Sequence, residues 1–295
     1  MRIWFFAAPK PRERILAEAW KDGCERHGDE CKIVITNDGI HDVVADMAKD
    51  LDNFPFDVAV MYGVKSRKLW NAMPYGVAKV MLDKGLLRTS SNSLRQQPDY
   101  TRVAVNAHHP TAYLMSIDKP SDRFKAWGLG LSHIKEHKGH IILVGSSEKY
   151  HEFYGLPHPN EYYSKIIKRL NKLTDRDIIY RPKPSWRDAT PIDGSRFSFG
   201  QGETMRDLLV GASLVVTHGS NASLDAALAG IPSIVLGDAV GKCISSTRLE
   251  DVNSPRLADI KDIRKWVHNL AYCQWTTAEF ASGLAWEHIK PLTYL

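Results

Sequence analysis

The 295-residue sequence has few cysteines, and their positions exclude two common kinds of site. The four cysteines are far apart, and none belongs to a CxxC pair or has the Cys/His spacing of a zinc site (Cys24, Cys31, Cys243 and Cys273). A disulfide framework or a structural zinc site would show such spacings. We therefore expect reduced, structural thiols.

The sequence also lacks long apolar runs, internal repeats and a strong net charge. It has no run of about 18 apolar residues, and the apolar segment near the N-terminus is too short for a signal peptide. The formal net charge of +5 permits an anionic partner without requiring one. With 43% hydrophobic and 25% charged residues, the composition is that of a soluble globular protein. We expect a cytoplasmic protein with no membrane partner, long enough for two domains.

The most informative stretch runs from Leu208 to Asp238. A β-branched apolar run at 214–216 is followed by a small polar turn at 217–221 and by a helical pattern that stops at Gly230. A second buried strand follows Pro232. This order predicts a parallel strand–helix–strand unit, whose turn lies at the carboxyl end of the first strand, where open α/β sheets bind ligands.

The turn itself has the residues of a phosphate site. Gly219 lets the backbone approach a ligand, and Ser220 and Asn221 can cap the helix. Free N–H groups and the positive end of the helix dipole favour a phosphate there. The alternative is that Ser220 and Asn221 form only an N-cap and that His218 is only a turn residue.

Strand and helix patterns alternate along the rest of the chain. Strands or short apolar stretches are predicted at 2–7, 32–36, 57–63, 77–82, 103–105, 141–144, 177–180, 197–199 and 233–236. Helices are predicted at 13–27, 43–50, 162–173, 204–210 and beyond 260. This alternation predicts an α/β fold with two doubly wound, Rossmann-like lobes at 1–137 and 138–262, followed by a helical tail at 263–295.

The segment from His218 to Asp238, HGSNASLDAALAGIPSIVLGD, resembles the part of GT-B glycosyltransferases in which a small-residue turn and a helix hold the donor phosphates. The similarity is to the capsule-polysaccharide (Kdo-type) transferases, in which an R-x-x-P-like strand exit, here RPKP at 181–184, precedes that turn. Their first-lobe E-D-G-F-hydrophobic-R-S motif corresponds to LDKGLLRT at 82–89, which differs by an inserted Lys. The resemblance implies a GT-B fold, a nucleotide-sugar donor, and a last helix that packs back on the first lobe.

Transfer of a sugar to a hydroxyl group with inversion needs a base, and three residues at strand ends of the first lobe are candidates. Asp83, expected to face the cleft, is the first candidate, and its alternative role is to cap the turn before Gly85. His108 and His109 are competing bases or acceptor ligands. Because adjacent side chains are expected to point in different directions, at most one of the two histidines should act.

The donor site needs positive charge and N–H or O–H donors for the leaving diphosphate. Arg181 and Lys183 are expected to neutralise it, with Lys242 as a weaker candidate; the alternative is that all three are plain surface charges. Tyr150 is a possible stacking partner. The remaining predicted donor-binding residues are Gly145, Ser146, Ser147, His218, Gly219, Ser220, Asn221 and Ser223.

Two D-x-D strings, at 50–52 and 175–177, would suggest a metal-dependent transferase of another fold. In that fold the metal-binding D-x-D closes an apolar strand. Here the first string ends a helical pattern and the second precedes its strand. We expect no required metal or cofactor, with the nucleotide sugar as the donor substrate.

The acceptor remains open between DNA and a saccharide or other small molecule. Basic residues of the first lobe, together with Trp70 and Tyr100, are expected to line a groove for a polyanion. These residues are Lys65, Arg67, Lys68, Arg88, Arg95 and Arg102. The irregular loop at 88–102 is expected to be functional or mobile. The sequence also resembles, in general style rather than in one motif, phage proteins that glycosylate bases of viral DNA, which would have to reach or flip the base.

Two functions of other classes also fit parts of the sequence. A sugar-nucleotide epimerase of the same two-lobe fold would need no acceptor. A non-catalytic nucleic-acid-binding protein would use the basic residues but not the phosphate turn, which argues against it.

Overall fold

The computed structural model describes residues 1–37, 39–63, 67–86, 100–200 and 202–294. The chain forms two compact units, the first made of Met1–Pro110 with Ala271–Leu295 and the second of Thr111–Leu270. Each unit is built around its own β-sheet. The predicted α/β fold with two Rossmann-like lobes is therefore confirmed.

The strands in the described ranges are β1 (Arg2–Ala7), β2 (Glu30–Ile35), β3 (Val58–Tyr62), β4 (Ala78–Lys84), β5 (Thr101–Val105), β6 (His140–Val144), β7 (Ile178–Arg181), β8 (Arg196–Phe197), β9 (Ala212–Thr217), β10 (Ser233–Val235) and β11 (Gln274–Trp275). The helices there are α1 (Pro11–Arg26), α2 (Ile40–Met47), α3 (Arg67–Ala72), α4 (Asp122–Ala126), α5 (Glu148–Tyr154), α6 (Pro159–Leu173), α7 (Met205–Leu209), α8 (Ala222–Leu228), α9 (Ile260–Ala271), α10 (Thr277–Ala281) and α11 (Leu284–Ile289). Short 3₁₀ segments lie at Pro110–Ala112, Val240–Ile244, Leu249–Asn253 and Lys290–Tyr294. Within these described ranges, no helix has both the length and the apolar character needed to span a membrane.

The sheet of the first unit has the strand order β11-β5-β4-β3-β1-β2. Strands β1 to β4 are parallel, as the alternating pattern predicts, whereas β5 is antiparallel to β4 and β11 is antiparallel to β5. All five residues of β5 are buried. A fully apolar run in a sequence indicates that a strand is covered on both faces of the sheet. It does not indicate whether that strand is parallel or antiparallel to its neighbour.

The C-terminal segment belongs to the first unit. Strand β11 extends its sheet, and α10 packs on α1 at Gly23, where a β-carbon would overlap the backbone carbonyl oxygen of Phe280. The rings of Trp20 and Phe280 lie 5.3 Å apart, and those of Trp20 and Trp286 5.6 Å apart. Tight backbone contact and three aromatic rings thus bury the start of the chain against its end.

The second unit begins at Thr111, earlier than the boundary of 137/138 predicted from the sequence. Thr111 Oγ1 donates to Asp238 Oδ1 at 2.7 Å, and the Lys135 amide donates to Gly230 O at 3.1 Å. The residues before β6 therefore pack on the second sheet. Their sequence has little periodicity, so it does not indicate the lobe to which they belong.

The second unit also extends beyond the predicted end at 262, because α9 packs within it. Trp266 Nε1 donates to Val240 O at 2.8 Å, and the side-chain Nδ2 of Asn269 donates to Leu114 O at 2.7 Å. Both side chains are completely buried. The division from the C-terminal segment accordingly falls at Leu270/Ala271.

The sheet of the second unit is entirely parallel, with the strand order β10-β9-β6-β7-β8. Along β6, Ile141 and Leu143 join one buried cluster with α6, while Ile142 and Val144 join another with α7 and α8. Both faces of the sheet are therefore covered, as is usual for parallel sheets. All the loops that follow these strands leave from one edge.

Candidate functional site

The predicted donor-binding residues lie at the carboxyl edge of the parallel sheet of the second unit. Loop 145–147 follows β6, loop 182–184 follows β7, and loop 218–221 follows β9. Loop 236–238 follows β10, which pairs with β9. Ligands of open α/β folds bind at this edge, outside the carboxyl ends of the strands.

The loop after β6 is held by a chain of hydrogen bonds from α6. The Ser146 amide donates to the hydroxyl oxygen of Tyr163 at 2.8 Å, and that hydroxyl lies 3.5 Å from His151 Nε2. His151 Nδ1 lies 2.6 Å from the Pro157 carbonyl, which can only accept, so the imidazole proton is on Nδ1. The Gly145 amide also donates within the sheet. This turn was predicted to cradle the nucleoside or phosphates, but these two amides are used inside the protein.

The loop after β9 is organised by its own hydroxyl groups. Thr217 Oγ1 accepts from the Ser220 amide at 3.1 Å, and Ser220 Oγ accepts from the Ala222 amide at 3.2 Å. Ser223 Oγ donates to Ser220 O at 3.2 Å. Asn221 makes no side-chain cap, so of the two predicted capping residues only Ser220 makes such a contact.

Three polar groups of the same loop have no partner within the described ranges. No described residue accepts a hydrogen bond from the amide N–H of Gly219 or Asn221. The buried Oδ1 atom of Asn221 likewise has no donor there. Because both residues are partly exposed, their amides can bind a ligand with acceptor oxygens.

The close packing of Tyr150 against residue 219 leaves no room for a side chain there, so this position requires glycine. A β-carbon at this position would overlap the hydroxyl group of Tyr150. That hydroxyl donates to Asp238 O at 3.3 Å, and Tyr150 is buried. The predicted stacking role of Tyr150 is therefore wrong, because its ring is packed inside the unit instead of forming an exposed platform.

His218 is held between α6 and the loop after β10. Its Nδ1 atom lies 2.6 Å from the hydroxyl oxygen of Tyr162, and a β-carbon at Gly237 would overlap the face of its ring. Burial, followed by electrostatic interaction with His151 and Lys242, lowers the pKa of His218 to about 4. At neutral pH His218 is therefore an uncharged hydrogen-bonding group.

Arg181 and Lys183 occupy different environments at the exit of β7. Arg181 is buried, and its guanidinium donates to Ser198 Oγ and Gly200 O, both at 3.1 Å. Ser198 Oγ in turn donates to Glu203 at 2.6 Å. Arg181 thus fixes the segment after β8, and the exposed ammonium group of this exit belongs to Lys183.

The predicted catalytic residues of the first unit form one cluster around Arg102. Arg102 faces Asp83 across β4 and β5, and its Nη2 atom donates to Asp83 Oδ2 at 3.1 Å. The same nitrogen lies 3.1 Å from His108 Nε2, and Nη1 lies 2.9 Å from His109 Nδ1. A guanidinium can only donate, so His109 Nδ1 accepts and is unprotonated, whereas His108 Nε2 also lies 3.8 Å from Asp83 Oδ2.

His108 and His109 were expected to point in different directions because they are adjacent in sequence. Instead, both side chains point towards Arg102. Their rings lie 4.5 Å apart, edge to face, and both contact Arg102. Asn106, with a φ of 54°, turns the chain after β5, and its amide and carboxamide bond to Lys79. This left-handed turn precedes the histidines and redirects the chain towards Arg102.

The cluster fixes the ionisation of its members. Burial alone would raise the pKa of Asp83, but contact with His108 and the charge of Arg102 hold that pKa well below its usual range. Burial and then the charge of Arg102 hold the pKa of His109 well below its usual range. Asp83 is therefore ionised but weakly basic, whereas an efficient general base has a pKa near the working pH.

The predicted basic groove loses one of its members. Arg102 is 2% exposed, so it cannot line a surface groove, and this part of the prediction is wrong. Arg67 and Lys68 are exposed on α3. Lys65, Arg88 and Arg95 lie outside the described residues, as do 88–99 of the predicted loop and 87–89 of the LDKGLLRT segment.

The described residues show no site typical of a metal ion. Within the described ranges, no group of three or more His, Cys, Asp or Glu side chains could hold one. Asp175 and Asp177 precede β7, at the amino edge of the sheet, and Asp50 and Asp52 follow α2. All four cysteines are free thiols.

Sequence reasoning missed the residues that hold the site residues in place. Tyr162 and Tyr163 both lie in a predicted helix. The apolar periodicity of that helix indicates that Tyr163 is buried, but nothing in the sequence indicates the contact of Tyr162 with His218. The position of Gly237 after a predicted strand indicates a turn. It does not indicate that the imidazole of His218 packs against this glycine. Arg102 was interpreted as a surface charge.

Comparison with solved structures identifies proteins of the same fold. The β-Kdo 2,7-transferase of KpsC from Thermosulfurimonas dismutans matches with a TM-score of 0.56 at 12% sequence identity, over 97% of this chain and 99% of that chain. The β-Kdo 2,4-transferase of KpsC from the same organism matches with a TM-score of 0.50 at 11% identity, over 91% and 89%. No protein-family model and no curated protein matches the sequence. The structural likeness shows the two-lobe GT-B fold that the sequence resemblance implied.

Proposed function

We propose that this protein is a glycosyltransferase that moves a sugar from a nucleotide-sugar donor to a hydroxyl acceptor, with the donor phosphates bound by loop 218–221. The observation that carries the proposal is the pair of unpartnered amides of Gly219 and Asn221 at the carboxyl edge of the second sheet. Backbone N–H groups fixed in a loop suit the oxygens of a leaving phosphate, where negative charge develops during transfer.

The donor sugar proposed for the first test is Kdo, a sugar acid. The two KpsC structures described above are both Kdo transferases. A sugar acid and a phosphate are both anionic, and exposed positive charge is supplied by Lys183 in the loop after β7 and by Lys242 in the 3₁₀ segment after loop 236–238. Hydrogen bonds to charged groups are stronger than those to neutral groups.

The acceptor proposed is a saccharide hydroxyl group. A DNA acceptor would need the basic groove of the first unit, and the burial of Arg102 removes one of the positive charges of that groove.

Asp83 remains the proposed base because its side chain is 32% exposed, whereas His108 and His109 are buried. The low pKa of Asp83 keeps this carboxylate ionised, so transfer should persist into acidic solution.

We place the reaction in the cytoplasm, where the four free thiols would stay reduced.

A thermal-shift panel of nucleoside diphosphates and nucleotide sugars, including CMP-linked Kdo, tests the donor site. A ligand present at about a hundred times its dissociation constant should stabilise the folded protein by about 2.7 kcal/mol, a shift of a few degrees. Asn221→Asp adds a negative charge beside the two amides and should abolish the shift. The matched control is Asn71→Asp, at an exposed position of α3, which should keep it.

Each outcome distinguishes the proposal from its alternatives. No shift with any nucleotide would refute the donor site. A shift accompanied by exchange of solvent deuterium into the sugar, without an acceptor, would favour an epimerase instead. A shift accompanied by sugar transfer to a saccharide acceptor would support the proposal.

A further inference from the structure

We infer that Tyr162 is a positioning residue that holds His218 as its Nε2–H tautomer, so that the neutral imidazole adds a third N–H donor to the two amides of loop 218–221. The ligand of this donor set is a phosphate group. The identity of that ligand rests on the function proposed above, but the tautomer is a property of the protein alone.

The hydrogen bond between the two side chains sets the tautomer. Tyr162 Oη and His218 Nδ1 are 2.6 Å apart, a short distance for neutral groups. A phenol is more acidic than a neutral imidazole N–H, and an imidazole nitrogen is more basic than a phenol oxygen. The stronger arrangement therefore has Tyr162 donating to Nδ1, which leaves the proton of His218 on Nε2.

The position of Tyr162 is fixed by one neighbour on α6 and one on α5. Tyr163, the next residue, is completely buried, and its ring centroid lies 5.2 Å from that of Tyr162. The ring of His151 packs against Tyr162 edge to face, also at 5.2 Å. Adjacent tyrosines of one helix thus hold the two loops: Tyr163 holds the loop after β6 and Tyr162 the loop after β9.

Gly237 packs against the face of the imidazole ring. Any side chain at this position would overlap Nε2 and Cδ2 of His218. A ring flipped by 180° would place carbon instead of nitrogen against the Tyr162 hydroxyl and lose the hydrogen bond. The ring therefore has one favourable orientation, with Nδ1 towards Tyr162.

The Nε2–H group is available to a ligand. Within the described ranges no atom accepts a hydrogen bond from Nε2, and the ring is only partly buried. Burial and electrostatic interaction with His151 and Lys242 keep the imidazole neutral, so it donates a hydrogen bond without carrying charge. Three donors on one loop match a ligand with several acceptor oxygens on one centre, which is the chemistry of a phosphate.

Long-range ¹H–¹⁵N NMR on the full-length protein labelled in histidine tests the tautomer without any ligand. We expect His218, assigned by the loss of its signals in His218→Gln, to show the Nε2–H pattern. Tyr162→Phe should convert it to a mixture of tautomers, and Tyr75→Phe, at a fully exposed tyrosine, should leave it unchanged. An Nδ1–H pattern in the wild type, or an unchanged pattern in Tyr162→Phe, would overturn the inference.

Titration with inorganic pyrophosphate and with CMP tests the ligand. The amide nitrogen of Gln can replace Nε2–H and that of Asn cannot, so His218→Gln should stay within about threefold of wild-type affinity, whereas His218→Asn should lose about tenfold. Tyr162→Phe should also lose about tenfold while remaining folded. Equal binding by wild type and Tyr162→Phe would refute the positioning role. Absence of binding to wild type, with the Nε2–H tautomer observed, would refute the phosphate ligand and the proposed donor site but not the tautomer.

Discussion

Arg102 shows how single polar residues are accommodated in the first unit. It is 2% exposed, and its guanidinium contacts Asp83, His108 and His109. A buried charge is tolerated only when it is paired and hydrogen-bonded. The cluster proposed to act on the acceptor therefore also stabilises the fold, and the two roles must be measured separately.

Asp83→Asn is expected to lower the free energy of unfolding by about 3 kcal/mol, because it leaves the buried Arg102 without its carboxylate. Urea unfolding measures the change. The control is Asp57→Asn, which breaks an ion pair with Arg2 whose side chains are 41% and 51% exposed and should cost under about 1 kcal/mol. Equal costs for the two variants would show that Arg102 does not depend on Asp83.

His218 predicts a pH dependence of stability. Its pKa falls from 6.5 to about 4 on folding, so between these values the unfolded chain binds a proton that the folded protein does not. Its contribution is complete above pH 6.5 and is lost as the pH falls towards 4. We expect His218→Gln to lose less stability than wild type between about pH 7 and about pH 5, as measured by urea unfolding at each pH. His133→Gln, at an exposed position, should behave as wild type does, and the same loss in all three proteins would contradict the prediction.

Gly219→Ala is expected to destabilise the second unit by about 1–3 kcal/mol, because the new β-carbon would overlap the hydroxyl group of buried Tyr150. Removing that hydroxyl in the double variant with Tyr150→Phe should recover only a small part of the loss, because the new β-carbon would also overlap Cζ of the ring. Gly202→Ala has no atom within 4 Å of its β-carbon and should change stability by less than about 0.5 kcal/mol. Thermal unfolding of the four proteins tests this, and a neutral Gly219→Ala would show that the loop adapts.

At the scale of secondary-structure elements, the contact between α1 and α10 joins the two ends of the chain. Helix α10 has only five residues but carries a capping box, in which Thr276 Oγ1 accepts from the Glu279 amide at 3.2 Å and Glu279 accepts from the Thr276 amide at 2.7 Å. The capping box satisfies two amides at the helix start. The helix therefore presents Phe280 to α1 at a fixed position.

Gly23→Ala tests the packing of α10 on α1, because helix propensity and steric overlap predict changes of opposite sign in the free energy of unfolding. In an exposed helix the change would stabilise by about 1 kcal/mol. Here the β-carbon would overlap the Phe280 carbonyl oxygen, a backbone atom that cannot rotate away, so we expect a loss of about 1–3 kcal/mol by urea unfolding. Gly130→Ala, whose β-carbon meets no atom, is the control. A stabilising Gly23→Ala would show that the helices separate easily.

At the scale of the whole molecule, the chain enters and leaves through the same unit. Residues 271–295 supply β11, α10 and α11 to the first unit, while the second unit is one continuous segment. Trp286 Nε1 and Lys290 Nζ both donate to Asp29 at 2.7–3.0 Å. The first unit is therefore assembled from two separate segments of the chain, whereas the second is assembled from one.

Truncation after Ala271 should loosen the first unit selectively. Hydrogen exchange should show lost protection in β1, β3 and β4, because Trp20 and Asp29 lose their partners, while β6 and β9 keep theirs. A chain ending at Thr293, which removes only the last two residues, should exchange as the full-length protein does. Equal loss in both units, or loss in neither, would contradict the division of the chain.

Prediction from the sequence succeeded where the signal is local. The first strand matches β1 at both ends, and the strand, turn and helix order around Gly219 matches β9, loop 218–221 and α8. Prediction was poorer at 111–137, where no periodicity shows the packing partner. It was wrong about Arg102, because a buried arginine and a surface arginine look the same in a sequence.

The sequence by itself determined the alternation of strands and helices, the two lobes and the place of the polar turn, because hydrophobic period and turn chemistry act over a few residues. The tertiary structure decided which polar groups meet. Tyr162 and His218 are 56 residues apart, and Asp83 and Arg102 are 19 apart on antiparallel strands. Such pairings depend on strand direction and on the packing of distant side chains, and they decide which groups of each loop are committed and which remain for a ligand.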